Sequence, residues 1–349
     1  MPRISFLLTF LQLISTYVVG QNSSSVDSSY VATRQKYVEN RTGDLTLRVF
    51  TLTHNDQLSY KGPLVNNREL IFKPNVPTNI GLGFNYQWLG LSVSFINPSY
   101  NLEVEKKGRT RYFDILLNTY SKKFGVDAYY VSYKGYYLSN PGNRKSEQEP
   151  FPQRPDFRTV AIGAQFFYYF NHKKYSYRAP FIQTERQKKS AGSFVLNPHF
   201  SYFSIKSDSA LTPGIQNPGS YRGGNFYTIG VGPGYAHTFV WRRFYINFTL
   251  IPSIFIQYQD IRHFDDEFDR SGIVTGLRFT GKFALGYNSD KFFIGISSSG
   301  DTYNIKLEKN TDLRYTIGAG RFFIGYRIPL KLNIFPFKKS EPNILLEKQ

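Results

Sequence analysis

Apolar and polar residues alternate with a period of two along most of the chain, the spacing of a β-strand with two different faces. Between Thr78 and Trp88 the positions Ile80, Leu82, Phe84, Tyr86 and Trp88 are apolar, and Asn79, Gly81, Gly83, Asn85 and Gln87 are small or polar. Leu89, Leu91, Val93 and Phe95 continue in the opposite phase, which a tight hairpin near Trp88-Leu89 would produce. Val160, Ile162, Ala164, Phe166, Tyr168 and Phe170 form a further apolar face. Phe244, Ile246, Phe248, Leu250, Ile254, Ile256 and Tyr258 lie opposite Asn247, Thr249, Ser253 and Gln257. Ile273, Leu277, Phe279, Phe283, Leu285 and Tyr287 lie opposite Arg278, Thr280, Lys282, Ala284 and Asn288. These runs of roughly 10 to 16 residues exceed the five or six of ordinary soluble strands and match what a tilted strand needs to cross a bilayer.

The other face is filled by Gly, Ser, Asn and scattered charges, which suits the inside of a barrel better than the water-facing side of a sandwich. Aromatic pairs near strand ends (Tyr86-Trp88, Tyr129-Tyr130, Tyr168-Tyr169, Phe239 to Trp241) suit an interfacial girdle. The expectation is an all-β transmembrane antiparallel β-barrel. Candidate strands fall at 45–53, 78–87, 89–97, 110–120, 124–137, 158–170, 175–185, 193–205, 226–239, 243–258, 272–288, 290–302 and 312–328. Single-chain barrels have an even number of strands, so this odd count points to about 12, with 14 next. The last run changes phase, from Leu313, Tyr315 and Ile317 to Phe322, Ile324, Tyr326 and Ile328, and predicts a bulge or turn at Gly318 to Gly320.

The N-terminus changes the picture. Arg3, an apolar stretch from Ile4 to Val19, and Val18-Val19-Gly20 ahead of the polar run Gln21 to Ser29 have the layout of a secretory signal cleaved near Gly20. The expected organisation is a signal peptide at 1–20, a mostly irregular periplasmic extension at 21–44, a barrel at 45–330 and a tail at 331–349, whose prolines oppose strand pairing. The expected location is the outer membrane of a Gram-negative cell. No later run is apolar enough for a helical span. The mean hydropathy of −0.37 does not count against a barrel, because alternation dilutes it.

Composition adds limits. Of 349 residues 17% are aromatic, fitting half-buried pleated surfaces. There is no cysteine, which excludes disulfides, thiolate metal sites, cysteine nucleophiles and an N-terminal lipid anchor. The net charge of +18 is spread over turns such as Lys122-Lys123, Lys173-Lys174 and Arg242-Arg243. No nucleic-acid module accompanies it, so outer-membrane lipid and lipopolysaccharide are the expected partners, and nucleic acid is not.

Three stretches stand out: Phe124-Gly-Val-Asp-Ala-Tyr-Tyr130 running to Tyr133-Lys-Gly-Tyr-Tyr-Leu138, then Phe170-Asn-His-Lys-Lys174, then Thr184-Glu-Arg-Gln-Lys-Lys-Ser-Ala-Gly-Ser193. They resemble an uncharacterised family of Bacteroidetes-type outer-membrane barrels known only as a domain of unknown function. The resemblance covers roughly Leu45 to Leu330. It implies the same barrel and compartment, and no site residues.

Little in the chain points to catalysis. His54, His172, His199, His237 and His263 show no metal-ligand spacing, and no cofactor is expected. His263-Phe264-Asp265-Asp266-Glu267 reads as an acidic loop before it reads as a cation site. His199 and Ser201 share a strand face without a nucleophile elbow. Gly230-Val-Gly232-Pro-Gly234 lacks the helix and lysine of a phosphate loop. The charges inside strands say more. Arg48, Asp114, Asp127, Arg178, Arg278, Lys282 and Arg314 are expected to face inward, as an ion-pair network that plugs the barrel or as a basic lumen that attracts anions. The leading functional reading is a non-enzymatic barrel, either a surface protein or a narrow pore. The alternatives are an outer-membrane enzyme acting on lipid or lipopolysaccharide, and a secreted soluble β protein binding an apolar ligand or polyanion.

Overall fold

The computed structural model describes residues 28–86, 89–96, 103–142, 146–211, 220–308 and 310–330. The signal segment and the C-terminal tail lie outside the described residues. Among the described residues there are sixteen strands, three short α-helices and two single-turn 3-10 helices. The strands are β1 (Val38–Asn40), β2 (Asp44–His54), β3 (Gln57–Lys61), β4 (Glu69–Lys73), β5 (Asn79–Tyr86), β6 (Leu89–Ile96), β7 (Arg111–Tyr120) and β8 (Phe124–Leu138). They continue as β9 (Gln153–Tyr169), β10 (Glu185–Gln187), β11 (Ala191–Lys206), β12 (Tyr221–Trp241), β13 (Phe244–His263), β14 (Arg270–Asn288), β15 (Phe292–Glu308) and β16 (Thr311–Pro329). The helices are α1 (Ser28–Tyr37), α2 (Val104–Lys107) and α3 (Arg178–Phe181).

Ten strands close an antiparallel ring in the order β16, β15, β14, β13, β12, β11, β9, β8, β4, β3 and back to β16. Near one end the wall is wider. There β2 and β5 continue the lines of β3 and β4, β6 hangs on β5, and β7 hangs on β8. Followed along the chain, β2 with β3 and β4 with β5 are single passes, and the wall consists of twelve passes, of which ten complete the ring. Turns at this end are short, as at 121–123, 242–243 and 289–291, and most connections at the other end are long.

Two sequence expectations are corrected. Residues 175–185 are not a wall strand: they carry α3 and turn inward, which accounts for the odd count. Nor is there a bulge or turn at Gly318 to Gly320, because β16 pairs with β15 in one register from Phe292↔Tyr326 to Lys306↔Asp312. Odd positions of β16 face inward throughout. What switches is the surroundings: towards the long-loop end the interior is apolar and the exterior polar, so Leu313 and Tyr315 are inside while Arg314 is outside and exposed. In addition, the segment expected to be irregular holds α1 and β1.

Elsewhere the alternation holds. Phe244, Ile246, Phe248, Leu250, Ile254, Ile256 and Tyr258 of β13 all point outward and are exposed, whereas Asn247, Thr249, Ser253 and Gln257 are buried. At ~3.3 Å per residue and a tilt of ~40°, that run spans about 35 Å, the scale of a bilayer. Trp241, Phe244, Phe124, Phe194 and Tyr326 ring the short-turn edge, and Tyr227 and Tyr258 mark the other, an interfacial girdle. Arginine at Leu250, in mid-belt, is therefore expected to cost about 2–4 kcal/mol, and at Tyr258 about 0–1 kcal/mol. Urea unfolding in lipid vesicles measures both, and equal costs would mean the belt is misplaced.

Proline interrupts the wall where side chains compensate. Pro198 of β11 offers no N–H to Phe166 of β9, and the ladder skips from Leu196↔Tyr168 to His199↔Gln165. The side-chain amide of Asn197 donates to the Phe166 carbonyl instead, at 2.7 Å.

Candidate functional site in the barrel lumen

Three layers fill the lumen. At the long-loop end is an apolar core built from inward positions of many strands, with Tyr60, Phe72, Tyr133, Phe157, Phe226 and Leu313 almost fully buried. Leu211, from the connection after β11, packs into it.

The middle layer is ionic. Arg278 of β14, 1% exposed, donates to Asp301 of β15 at 2.5 Å and to Gln165 of β9 at 2.7 Å. It reaches Asn197 of β11 at 3.2 Å, so one side chain bridges opposite walls. Thr280 donates to the same Asp301 oxygen at 2.6 Å. Lys282 bonds Asp127 of β8, which also accepts from Tyr120 and, at 2.8 Å, from Asn118. The Lys282 ammonium lies 4.5 Å from the centre of the Phe167 ring. Buried ions need partners, and these have them.

The third layer closes the short-turn end. Residues 170–190 leave β9, fold under the barrel and return to β11, with Tyr175, Tyr177, Ala179, Gln183, Glu185 and Gln187 buried. Gln187 ties the segment to itself, accepting from Ser176 N at 2.9 Å and donating to Lys174 O at 2.7 Å. Tyr177 stacks on Phe181 and Tyr169, with ring centres 4.5 and 5.1 Å away. Glu185 is the anchor: it accepts from Arg34 of α1 at 2.7 Å and Ser176 at 2.5 Å, with Arg178 at 3.8 Å. Arg34 also bonds the His172 carbonyl, and burial holds the His172 imidazole below its ordinary pKa. β1 pairs with β10, sealing α1 against the segment. From the wall, Arg327 donates to Gln183 O at 2.6 Å, Ser289 O at 2.7 Å and Asn288 Oδ1 at 2.7 Å. At the rim, Asp290 gathers Arg41 at 2.8 Å, Arg186 at 2.9 Å and Arg243 at 3.4 Å.

Of the seven charges expected to face inward, Asp127, Arg278 and Lys282 join the middle layer. Arg48 is inside but meets neutral groups: Ser92 at 3.2 Å, Phe181 O at 3.3 Å and Gln183 at 3.4 Å. Asp114 lies 4.0 Å from His54 rather than near an arginine. Arg178 belongs to the inner segment, not to a wall strand. Arg314 is a correction, since it faces outward to Glu69 at 3.4 Å and Asn304 at 2.9 Å. Sequence reasoning missed Glu185, Arg34, Asp301, Arg321 and Arg327. Asp301 follows the inward parity of Ser297 and Ser299 and was legible in principle. Glu185 was not, because Arg34 lies 151 residues away and Ser176 and Arg178 reach it only once the segment folds back on itself.

The side candidates resolve simply. The His199 ring lies against Tyr303, with centres 6.4 Å apart, and no hydrogen bond joins it to Ser201. Asp265 accepts from Glu267 N at 3.2 Å, and Asp269 accepts from His263 N at 2.7 Å, so the acidic loop is a capped turn. Gly230 to Gly234 lies within β12.

A closed antiparallel barrel with a lipid-facing belt and a filled interior defines the class: a plugged transmembrane β-barrel. Over residues 25–328 the chain matches the family described as a domain of unknown function (DUF4421), and it belongs to that family. The Phe170–Lys174 and Thr184–Ser193 stretches flank and build the inner segment. No curated protein matches the chain. Among solved structures it is similar to the outer membrane protease OmpT from Escherichia coli, at 9% identity over 82% of this chain and 97% of that one, TM-score 0.38. It is also similar to the translocator domain of autotransporter NalP from Neisseria meningitidis, at 10% identity over 93% and 96%, TM-score 0.32. The toluene transporter TodX of P. putida is similar at 8% identity over 82% and 90%, TM-score 0.25. The barrel rests on its own strand pairing rather than on these likenesses.

Proposed function

We propose that the protein is an integral outer-membrane barrel with a sealed lumen, non-enzymatic, serving as a surface or structural component rather than a diffusion pore. The observation that carries this reading is the inner segment, locked across the short-turn end by Glu185 and Arg327 beneath the bridging Arg278. In this reading the short turns, α1 and the inner segment face the periplasm, the long loops face outward, and the belt meets outer-membrane lipid and lipopolysaccharide. Export uses the signal segment ending near Gly20.

Planar-bilayer recordings test the proposal. The intact protein is expected to conduct far less than a porin, with any residual current favouring anions because lumen arginines outnumber acids. Replacing 176–187 by a short glycine-serine linker is expected to raise the current at least tenfold. Large, unselective conductance from the intact chain would overturn the proposal.

A further inference from the structure

The lumen holds two arginines that its ionic layer does not neutralise. Arg48 of β2 and Arg321 of β16 both lie against the ring of Phe50, at 5.4 and 5.9 Å from its centre. Among the described residues neither forms an ion pair, and the Arg321 side chain makes no hydrogen bond. The Nε of each guanidinium is buried without a hydrogen-bond partner, as is Nδ2 of Asn85 on the neighbouring β5. Strand pairing puts both arginines on the inner face on either side of Phe50, Arg48 opposite Gly83 and Arg321 opposite Leu52, with Asn85, opposite Thr46, beyond Arg48 on the side away from Arg321. The unpaired atoms are all donors. Gly81 and Gly83 let these side chains lie flat on the wall, since a Cβ at Gly81 would fall 2.2 Å from the Phe50 ring, and one at Gly83 would fall 3.3 Å from Arg48 Nε.

The wall beside this patch is incomplete. Among the described residues β6 pairs only with β5 and β7 only with β8, so no backbone ladder joins β6 to β7. Ser92 and Asn118 point inward beside this seam yet are exposed, whereas Asn247 and Thr228, inward on paired strands, are buried. The seam thus connects the patch to the surroundings of the barrel.

We propose that Arg48 and Arg321 form an anion-binding site for a phosphate group, reached through the seam between β6 and β7. Two guanidiniums with buried Nε atoms and no carboxylate partner are costly, and a phosphate oxyanion would accept from the Arg321 guanidinium and from Arg48 Nε together. The site holds whether or not the barrel conducts. The phosphate could be free or the headgroup of an anionic phospholipid, and two probes separate these sources. Full-length protein in neutral detergent is titrated with inorganic phosphate by calorimetry. It is also reconstituted in phosphatidylglycerol or phosphatidylcholine nanodiscs, and retained lipid is read by native mass spectrometry. Phosphate binding marks a soluble ligand; selective retention of phosphatidylglycerol without phosphate binding marks a lipid. In either case Arg321→Gln is expected to weaken the interaction at least tenfold, and Arg243→Gln, at the exposed rim, to leave it within twofold. Arg48→Gln should act like Arg321→Gln. If it fails to fold because Arg48 also supports the inner segment, Arg321→Gln decides alone. Failure of the intact protein to bind either probe, or unchanged binding in Arg321→Gln, would overturn the site.

Discussion

Replacing Asp301 by alanine is expected to destabilise the barrel by about 3–5 kcal/mol, the usual cost of leaving a buried charge without its partner. Asp301 is the only carboxylate bonded to Arg278 among the described residues, and Gln165 and Asn197 offer neutral oxygens that cannot balance the charge. Thr280 would lose its acceptor at the same time. The double variant Arg278→Met, Asp301→Leu removes both charges and is expected to recover most of the loss, since buried pairs replaced by apolar residues are often neutral or better. Urea unfolding in vesicles, with heat-dependent gel mobility as a second readout, measures both variants. A single-variant loss under 1 kcal/mol would show that water reaches Arg278 and that the middle layer is a hydrated channel.

That result bears on what the sequence could reveal. Alternation identified the lipid face of β13 and β14 residue by residue, because hydrocarbon tolerates only one kind of side chain. The inner face was harder to read. A lumen filled by packing is apolar in one layer, ionic in the next and a mixture of aromatic and polar groups in the third, so hydrophobicity alone cannot tell inside from outside there. Charges within strands are expected to point inward, yet Arg314 faces out while Arg321 and Arg327 face in. The same misreading bears on Thr280. In a water-filled lumen Thr280→Arg would be tolerated better than Phe279→Arg. With Thr280 1% exposed and bonded to Asp301, an arginine there meets packed neighbours, and both changes are expected to impair assembly. The inner segment was misread for a related reason. Tyr175, Tyr177, Ala179 and Phe181 alternate like a strand, but Tyr175, Tyr177 and Phe181 pack with Phe167 and Tyr169 inside the wall. Period two records two unlike sides, and a segment lying between the wall and polar anchors has two such sides as well.

Releasing the inner segment should have the largest functional effect. Glu185→Ala removes the acceptor of Arg34 and Ser176 and the neighbour of Arg178, leaving two cations at the barrel mouth without it. At about 3–5 kcal/mol for a broken buried pair and ~1.4 kcal/mol per factor of ten, local opening becomes roughly 10²–10⁴ times more populated. The rest of the wall should hold, because β1–β10 pairing and the Arg327 bonds are separate from the barrel ladder. The chain has no cysteine, so Ala179→Cys supplies a single thiol at a position 3% exposed. A bulky maleimide added to folded protein is expected to label Cys at 179 slowly in an otherwise unchanged chain and at least a hundred times faster with Glu185→Ala, while heat-dependent gel mobility stays that of the folded barrel. Arg34→Met together with Glu185→Leu should label at an intermediate rate, because no buried charge is then left alone. Equal labelling with and without Glu185 would mean the segment is held by aromatic packing on Tyr169 and Phe181 alone, with the salt bridge a bystander.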